Sequence, residues 1–468
     1  MKVTQRDKLA YGVGAFGYGT VNQMLNNFLM FFGTGILGLS GTLMGLAIAI
    51  STVWDAVTDP LVGALSDNYR GRLGKRHLFM LLGCVGVAFL NLLIWGINPA
   101  WNETIKFLAL LGILLLIETF NTVYSTPYAA LGFDMSQTYH ERTSIQSYKT
   151  VFQSASLMVP SLLMGLVLNP KMLATMHTAA GGYHLIALIT SCLCLLTGLL
   201  AIFGTRHFRT QPTTQPQSVS PSAKKVSVLG EFFAVLDNRN NVFLIAAYAI
   251  ALSCSAFLTT LGMHVFTYTF HFTSWQISFV LGCLVVGVIA GQPLWCFVSN
   301  RIGKKNTIQT ALWVVLLGVT GFALLLTARI FLPHNCVLWL LALNIFIISS
   351  GVGCIYSLPI SMFADNIKNE STAMATGFLT FCTKCTNAVV TFLVGFMLDW
   401  VGFQSGIATQ TLHVSTALGW LLVGGVTVSA VIAWFLFGKY QDKARENVVS
   451  YQDETKQSVK PNTKVRSV

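Results

Sequence analysis

The sequence predicts an all-α membrane protein with about twelve transmembrane helices arranged as two six-helix bundles. Three observations predict it. Of 468 residues, 54% are hydrophobic and 10% charged, whereas soluble domains carry about a quarter charged residues. Apolar runs recur from Leu9 to Tyr440, each close to the roughly 20 residues that cross hydrocarbon. Short motifs also recur at matching places in the two halves: RLGKR (Arg72 to Arg76) returns as RIGKK (Arg301 to Lys305), and PYAALGFD (Pro127 to Asp134) as PISMFAD (Pro359 to Asp365).

In chain order, the apolar pattern places helices at about 9–37, 41–66, 77–97, 104–131, 142–167 and 181–204, then at about 242–270, 274–298, 307–327, 336–362, 372–401 and 413–440. MKVTQRDKLAYG lacks the short apolar region and small-residue cleavage site of a signal peptide, so the first helix is expected to be retained. Residues 1–204 form the first bundle, 205–241 a cytoplasmic linker, 242–440 the second bundle and 441–468 a disordered tail. The linker is expected to be flexible because TRHFRTQPTTQPQSVSPSAKK has too little apolar surface to order itself. VSVLGEFFAVLDN, which follows, has the pattern of a short helix lying on the membrane surface.

The net charge of +12 is explained by topology rather than by nucleic acid. Lys and Arg collect in alternate loops: Lys2 to Lys8, Arg70 to Arg76, Arg206 to Arg239, Arg301 to Lys305 and the tail after Lys439. With about twelve spans these loops share one side, which the positive-inside rule makes the cytoplasm, with both termini there. The expected location is the plasma (inner) membrane, the expected state a monomer, and the lipid bilayer is the extended partner. The ten cysteines sit mostly in apolar spans, and Cys382 and Cys385 have no second ligand pair beside them, so packing is the expected role. No nucleophile, base and orienting residue combine into a catalytic set, so an enzyme is not expected, and neither is a cofactor.

Carboxylates within the spans carry the functional signal. WDAVTDPLVG places Asp55 and Asp59 four residues apart, on one helix face. A carboxylate in hydrocarbon costs about 2.5–3.5 kcal/mol on insertion scales, so such residues face the bundle interior. Pro60 deprives the Ala56 carbonyl of its usual donor. Two carboxylates and a freed carbonyl offer hard oxygen ligands to Na⁺ or H⁺. The alternative is that the aspartates pair with an intramembrane base, of which Lys149 and Lys384 are the candidates, or cap a broken helix. In the fourth helix Glu118, Thr122 and Ser125 share a face ahead of Pro127. Thr122 can add a hydroxyl to a cation site or bond back to its own helix, and Glu118 reads equally as functional or structural.

KLAYGVGAFG (Lys8 to Gly17), WDAVTDPLVG, GRLGKRHLF (Gly71 to Phe79), PYAALGFD followed by HERTSIQSYK, and FLTFCTKC around Lys384 together resemble the glycoside, pentoside and hexuronide:cation symporter family. This is the melibiose permease-like branch of the major facilitator superfamily. The resemblance implies that Asp55, Asp59, Thr58 and Thr122 form the Na⁺ or H⁺ site. It implies that Lys384 stands near a shared cation and substrate pocket, and that Asp67, Arg72, Gly74 and Lys75 form a cytoplasmic gating loop, echoed by Arg301 and Lys304. At the sugar site the family's carboxylates fall at Gly19 and Ser125, its aromatic platform at Ala129 and its fifth-helix arginine at Lys149. The candidate substrate positions are thus Lys384, Lys149, Glu118, Ser125, Gly19 and Tyr128. Eukaryotic lysophospholipid symporters of the same branch resemble this chain in the WDA-x-TDPLVG element.

The expected function is secondary active transport: cation-coupled symport of a sugar or glycoside by alternating access. The alternatives are symport of a lysophospholipid or another organic solute, and a non-transporting membrane sensor built on a transporter fold.

Overall fold

The computed structural model describes residues 3–69, 71, 74–136, 139–167, 179–210, 239–366 and 372–441. Helix α1 (Gln5–Phe31) starts where Thr4 and Asp7 form a capping box: the Thr4 N–H donates to the Asp7 carboxylate at 2.8 Å and the Asp7 N–H to the Thr4 hydroxyl at 3.3 Å. A π-helical turn, Phe32–Ile36, ends it. Then come α2 (Gly41–Asn68), α3 (His77–Trp95), α4 (Glu103–Asp134), α5 (Tyr139–Ser156), α6 (Val159–Val167) and α7 (Ala179–Gly204). The second half contains α8 (Arg239–His264) with its own π-helical turn (Val265–Thr269), α9 (Ser274–Ile302), α10 (Lys304–Ala328), α11 (His334–Asn366), α12 (Thr372–Trp400) and α13 (Leu412–Lys439).

The expected fifth helix is one span made of two pieces, α5 and α6. Pro160 has no N–H to give the Ser156 carbonyl, and the chain turns through tighter bonds, from the Leu157 N–H to Ser154 and the Met158 N–H to Ala155. Among the described residues, eleven helical spans are long and apolar enough to cross a membrane. Helix α1 is held back from that class by its glycines and amides, and most of its residues from Tyr11 to Phe31 are buried. The linker's proposed surface helix and the tail beyond Gln441 lie outside the described residues.

The repeat reaches backbone detail. Pro60 in α2 is matched by Pro293 in α9, and Pro127 in α4 by Pro359 in α11. The RLGKR and RIGKK loops both turn on a glycine in the left-handed region, Gly74 at φ 80° and Gly303 at φ 88°.

The outer surface is apolar because its solvent is lipid: Leu61, Leu65, Leu317 and Phe435 are all exposed. Trp101, Trp275 and Trp400, also exposed, ring the end away from the basic loops, where amphipathic aromatics settle at a membrane interface. The halves meet where α2 runs along α12, α6 against α9 and α1 against α8.

Candidate cation and cargo site

At the centre of the α2–α12 contact, the Lys384 ammonium from the second half lies 2.7 Å from Asp55 Oδ2 and 2.6 Å from Asp59 Oδ2 of the first. The four-residue spacing on α2 turns both carboxylates to α12, as the sequence implied. Each second oxygen faces α4. The Thr122 hydroxyl points to Asp55 Oδ1 at 2.8 Å and Asp59 Oδ1 at 3.2 Å. Thr58 stands behind, its hydroxyl 3.4 Å from that of Thr122 and donating to the Asp55 carbonyl at 3.1 Å. The ammonium thus occupies the position a monovalent cation would take between two carboxylates. Of the two bases named above as candidate partners, Lys384 is the one that the structure pairs with the aspartates.

Beside this cluster a cavity of about 600 Å³ lies between the halves. Among the described residues its lining includes two charged side chains, Glu118 and Lys384, and a set of amides and hydroxyls: Gln23, Asn26, Gln153, Gln292, Tyr356 and Asn387. Leu29, Leu252 and Val288 supply apolar faces. The amides Gln23 and Asn26 come from VNQMLNN on α1, a run of polar side chains inside a span.

Four candidate cargo residues stand outside this lining. Gly19 is buried where a Cβ would meet Ser156 Oγ, so it packs α1 on α5 and leaves no room for the acid the family carries there. Tyr128 is fully buried, stacked on Tyr11 at 4.6 Å, and donates its hydroxyl hydrogen bond to the Tyr11 carbonyl at 2.6 Å. The Lys149 ammonium sits 5.6 Å from the centre of the Tyr128 ring, a cation–π distance. Ser125 is half-buried on α4.

The loop that joins α2 and α3 is organised by Arg76, which closes the RLGKR motif. Its guanidinium reaches Asp67 at 2.7 Å, Asp134 at 3.2 Å and the Ser66 hydroxyl at 3.0 Å. Lys75 lies 3.9 Å from Asp134 in a looser pair, and Arg72 is outside the described residues. In the second half, Arg301 stacks 4.4 Å over Phe297 and Lys304 donates to the Ser361 hydroxyl at 2.8 Å. All these contacts stay within one half. Arg76→Gln is expected to lower stability by about 1–3 kcal/mol, the scale of hydrogen bonds to charged groups; thermal unfolding in detergent measures it, and an unchanged midpoint would remove Arg76 from this role.

Bonds across the halves cluster at the other end. Asp399 at the end of α12 accepts the Gly41 N–H at 2.8 Å and the Thr42 N–H at 2.7 Å, covering the N-terminus of α2. Thr34 meets buried His264 Nε2 at 2.8 Å, and its carbonyl accepts the Gly406 N–H at 2.8 Å. Below them the helices approach closely: a Cβ on Gly45 would stand 2.9 Å from the Thr391 carbonyl oxygen.

Two sets of helices, a charge cluster bridging them and a polar cavity closed at one end are the arrangement of a membrane transporter. Residues 10–441 match the family described as "MFS/sugar transport protein", and the chain belongs to that family. It is 24% identical to the sodium-dependent lysophosphatidylcholine symporter 1 of Gallus gallus, over 96% of this chain and 90% of that one. It is also 24% identical to a Salmonella typhimurium protein provisionally named a sulfoquinovose importer, over 95% and 91%. An Escherichia coli protein provisionally named a glycoside/cation symporter is 31% identical over 36% of each chain. In fold, the chain is similar to a nucleoside transporter, with a TM-score of 0.65, 14% identity and coverage of 93% and 100%. It is likewise similar to a bacterial homologue of ferroportin in its inward-facing state, with a TM-score of 0.67, 11% identity and coverage of 94% and 99%. The protein is an integral membrane symporter, not an enzyme.

Proposed function

We propose that this protein couples Na⁺ or H⁺ entry to uptake of a hydroxyl-rich organic solute of the sugar or glycoside class. The observation that carries the reading is the Lys384 ammonium held between Asp55 and Asp59, which marks a place for a monovalent cation at the junction of the halves. Amides and hydroxyls around the cavity suit a cargo that both donates and accepts hydrogen bonds, and the apolar faces suit the flat side of a sugar ring. The basic loops face the cytoplasm of the inner membrane, so the closed end is external and this is an inward-facing form. A single chain suffices for the cycle.

A lysophospholipid is the second reading, favoured by the apolar share of the cavity and the Gallus gallus relative. The test is thermal stability of the purified protein against sugars, glycosides and lysophospholipids, in Na⁺ and in K⁺ at two pH values. A ligand that binds the folded state raises the transition by about 2.7 kcal/mol at 100 times its Kd. A cation-dependent rise with a sugar is the expected result. A rise with lysophospholipid alone would transfer the assignment to the second reading.

A further inference from the structure

We propose that Glu118 receives Lys384 when a cation takes the aspartate pair, so that the lysine exchanges one carboxylate partner for another instead of being left unpaired. The inference rests on the cation-coupled reading above and adds a residue to its mechanism.

The Lys384 ammonium contacts the Oδ2 atoms of both aspartates, while their Oδ1 atoms face the Thr122 hydroxyl. A cation arriving at the same oxygens carries the same charge as the ammonium and cannot share the place. The ammonium must leave. A charge withdrawn into a lining of neutral amides would be poorly compensated, and uncompensated charges away from water are expensive. Its flexible four-carbon stem, however, lets it turn within the cavity that it already lines.

Among the described residues, Glu118 is the carboxylate in that lining. It sits on α4 four residues before Thr122, on the same face and about one turn away, roughly 6 Å along the axis. It is close enough to interact electrostatically with Lys384, Asp55 and Asp59. Asn121 follows Glu118 by three residues on α4, and its Oδ1 accepts from Asn22 Nδ2 at 3.2 Å, which leaves the Asn121 amide hydrogens for the Glu118 carboxylate.

The charge count follows the same logic. Without a cation, the two aspartates hold the ammonium between them. With a monovalent cation on the aspartates, the released ammonium and Glu118 neutralise each other. Because Lys384 belongs to α12 and the carboxylates to α2 and α4, the exchange moves the bridge between the halves from one helix to another. Cation binding thereby changes which surfaces of the halves are tied together.

The rival role for Glu118 is a direct cargo ligand, and a double-mutant cycle separates the two. Purified full-length protein without cargo is titrated with Na⁺ against K⁺ at constant ionic strength and, in K⁺ alone, with protons. The thermal midpoint is the readout. Glu118→Gln is expected to weaken cation binding about tenfold or more in the wild-type background, the scale of one lost charge-assisted hydrogen bond. In the Lys384→Gln background, where no ammonium needs a new partner, the same change is expected to have less than about a twofold effect. If Lys384→Gln does not fold, Lys384→Arg replaces it and is expected to keep the full dependence on Glu118. Equal weakening in the wild-type and Lys384→Gln backgrounds overturns the exchange. So does unchanged cation binding by Glu118→Gln, or a Glu118→Gln effect that disappears with Lys384→Arg. A wild-type protein whose midpoint responds to neither ion overturns the coupling assignment as well, which distinguishes that failure from failure of the exchange alone.

Discussion

Replacing Asp59 with asparagine is expected to abolish accumulation of cargo against its gradient while leaving the protein folded and inserted. The substitution keeps the shape of the side chain and one oxygen to face Thr122, which lies 3.2 Å from Asp59 Oδ1. It removes one of the two charges that hold the ammonium at 2.6 and 2.7 Å. A hydrogen bond to a charged group is worth about 1.5–3 kcal/mol, so a cation taking the ammonium's place should bind at least about tenfold more weakly. Lys384 then stays on Asp55 and the halves move without an ion. Proteoliposomes loaded with cargo should still exchange it, while an imposed Na⁺ or pH gradient should no longer concentrate it. Accumulation at the wild-type level would remove Asp59 from the coupling site.

The sequence made this cluster legible because lipid is an unforgiving solvent. Two aspartates, a threonine and a lysine inside apolar spans are each costly, and helical spacing restricts which can share a face. Spacing along one helix does not determine which helix packs against it, however. The contact of Lys384 with Asp59, 325 positions away in sequence, and with Asp55 needed the structure. The same gap explains the candidate cargo residues. Tyr128 and Gly19 were chosen by their place in the chain, whereas the packing of α1 on α4 and α5 turns them into core. The amides of VNQMLNN were visible all along as polar residues in a span, but their convergence with Gln292 and Asn387 is set by how the two halves meet. Arg76 stood in a motif already singled out. Its dominance over Lys75 follows from burial: its side chain is 10% exposed, against 33% for Lys75, and a shielded guanidinium fork can hold two carboxylates at once.

Gly395→Val is expected to keep the external end from closing and to arrest transport with the cavity open on that side. A Cβ at Gly395 would run into the Gly41 carbonyl oxygen, which belongs to the backbone of α2 and has no rotamer by which to yield. Gly41 and Gly45 on α2 face Gly395 and Thr391 on α12, four-residue spacings of small side chains that let two helix backbones touch in a membrane. That contact brings the Asp399 carboxylate onto the first N–H groups of α2, at 2.7 and 2.8 Å, and ties the halves together at this end. A branched side chain in the crossing therefore removes the packing and the capping together, whereas Asp399→Asn weakens the capping alone. The capping charge contributes about 0.3–1 kcal/mol, up to about 2 kcal/mol where partly buried. Asp399→Asn should accordingly shift the balance between the two forms without arresting it. Thiol labelling at a cysteine placed at Asn387 in the cavity, applied from the external side, distinguishes these states. The native exposed cysteines Cys192, Cys296 and Cys336 are first replaced by serine. Labelling should be fast in Gly395→Val, intermediate in Asp399→Asn and slow in the parent. If Gly395→Val labels as slowly as the parent and still transports, the α2–α12 crossing is not the surface that opens and closes.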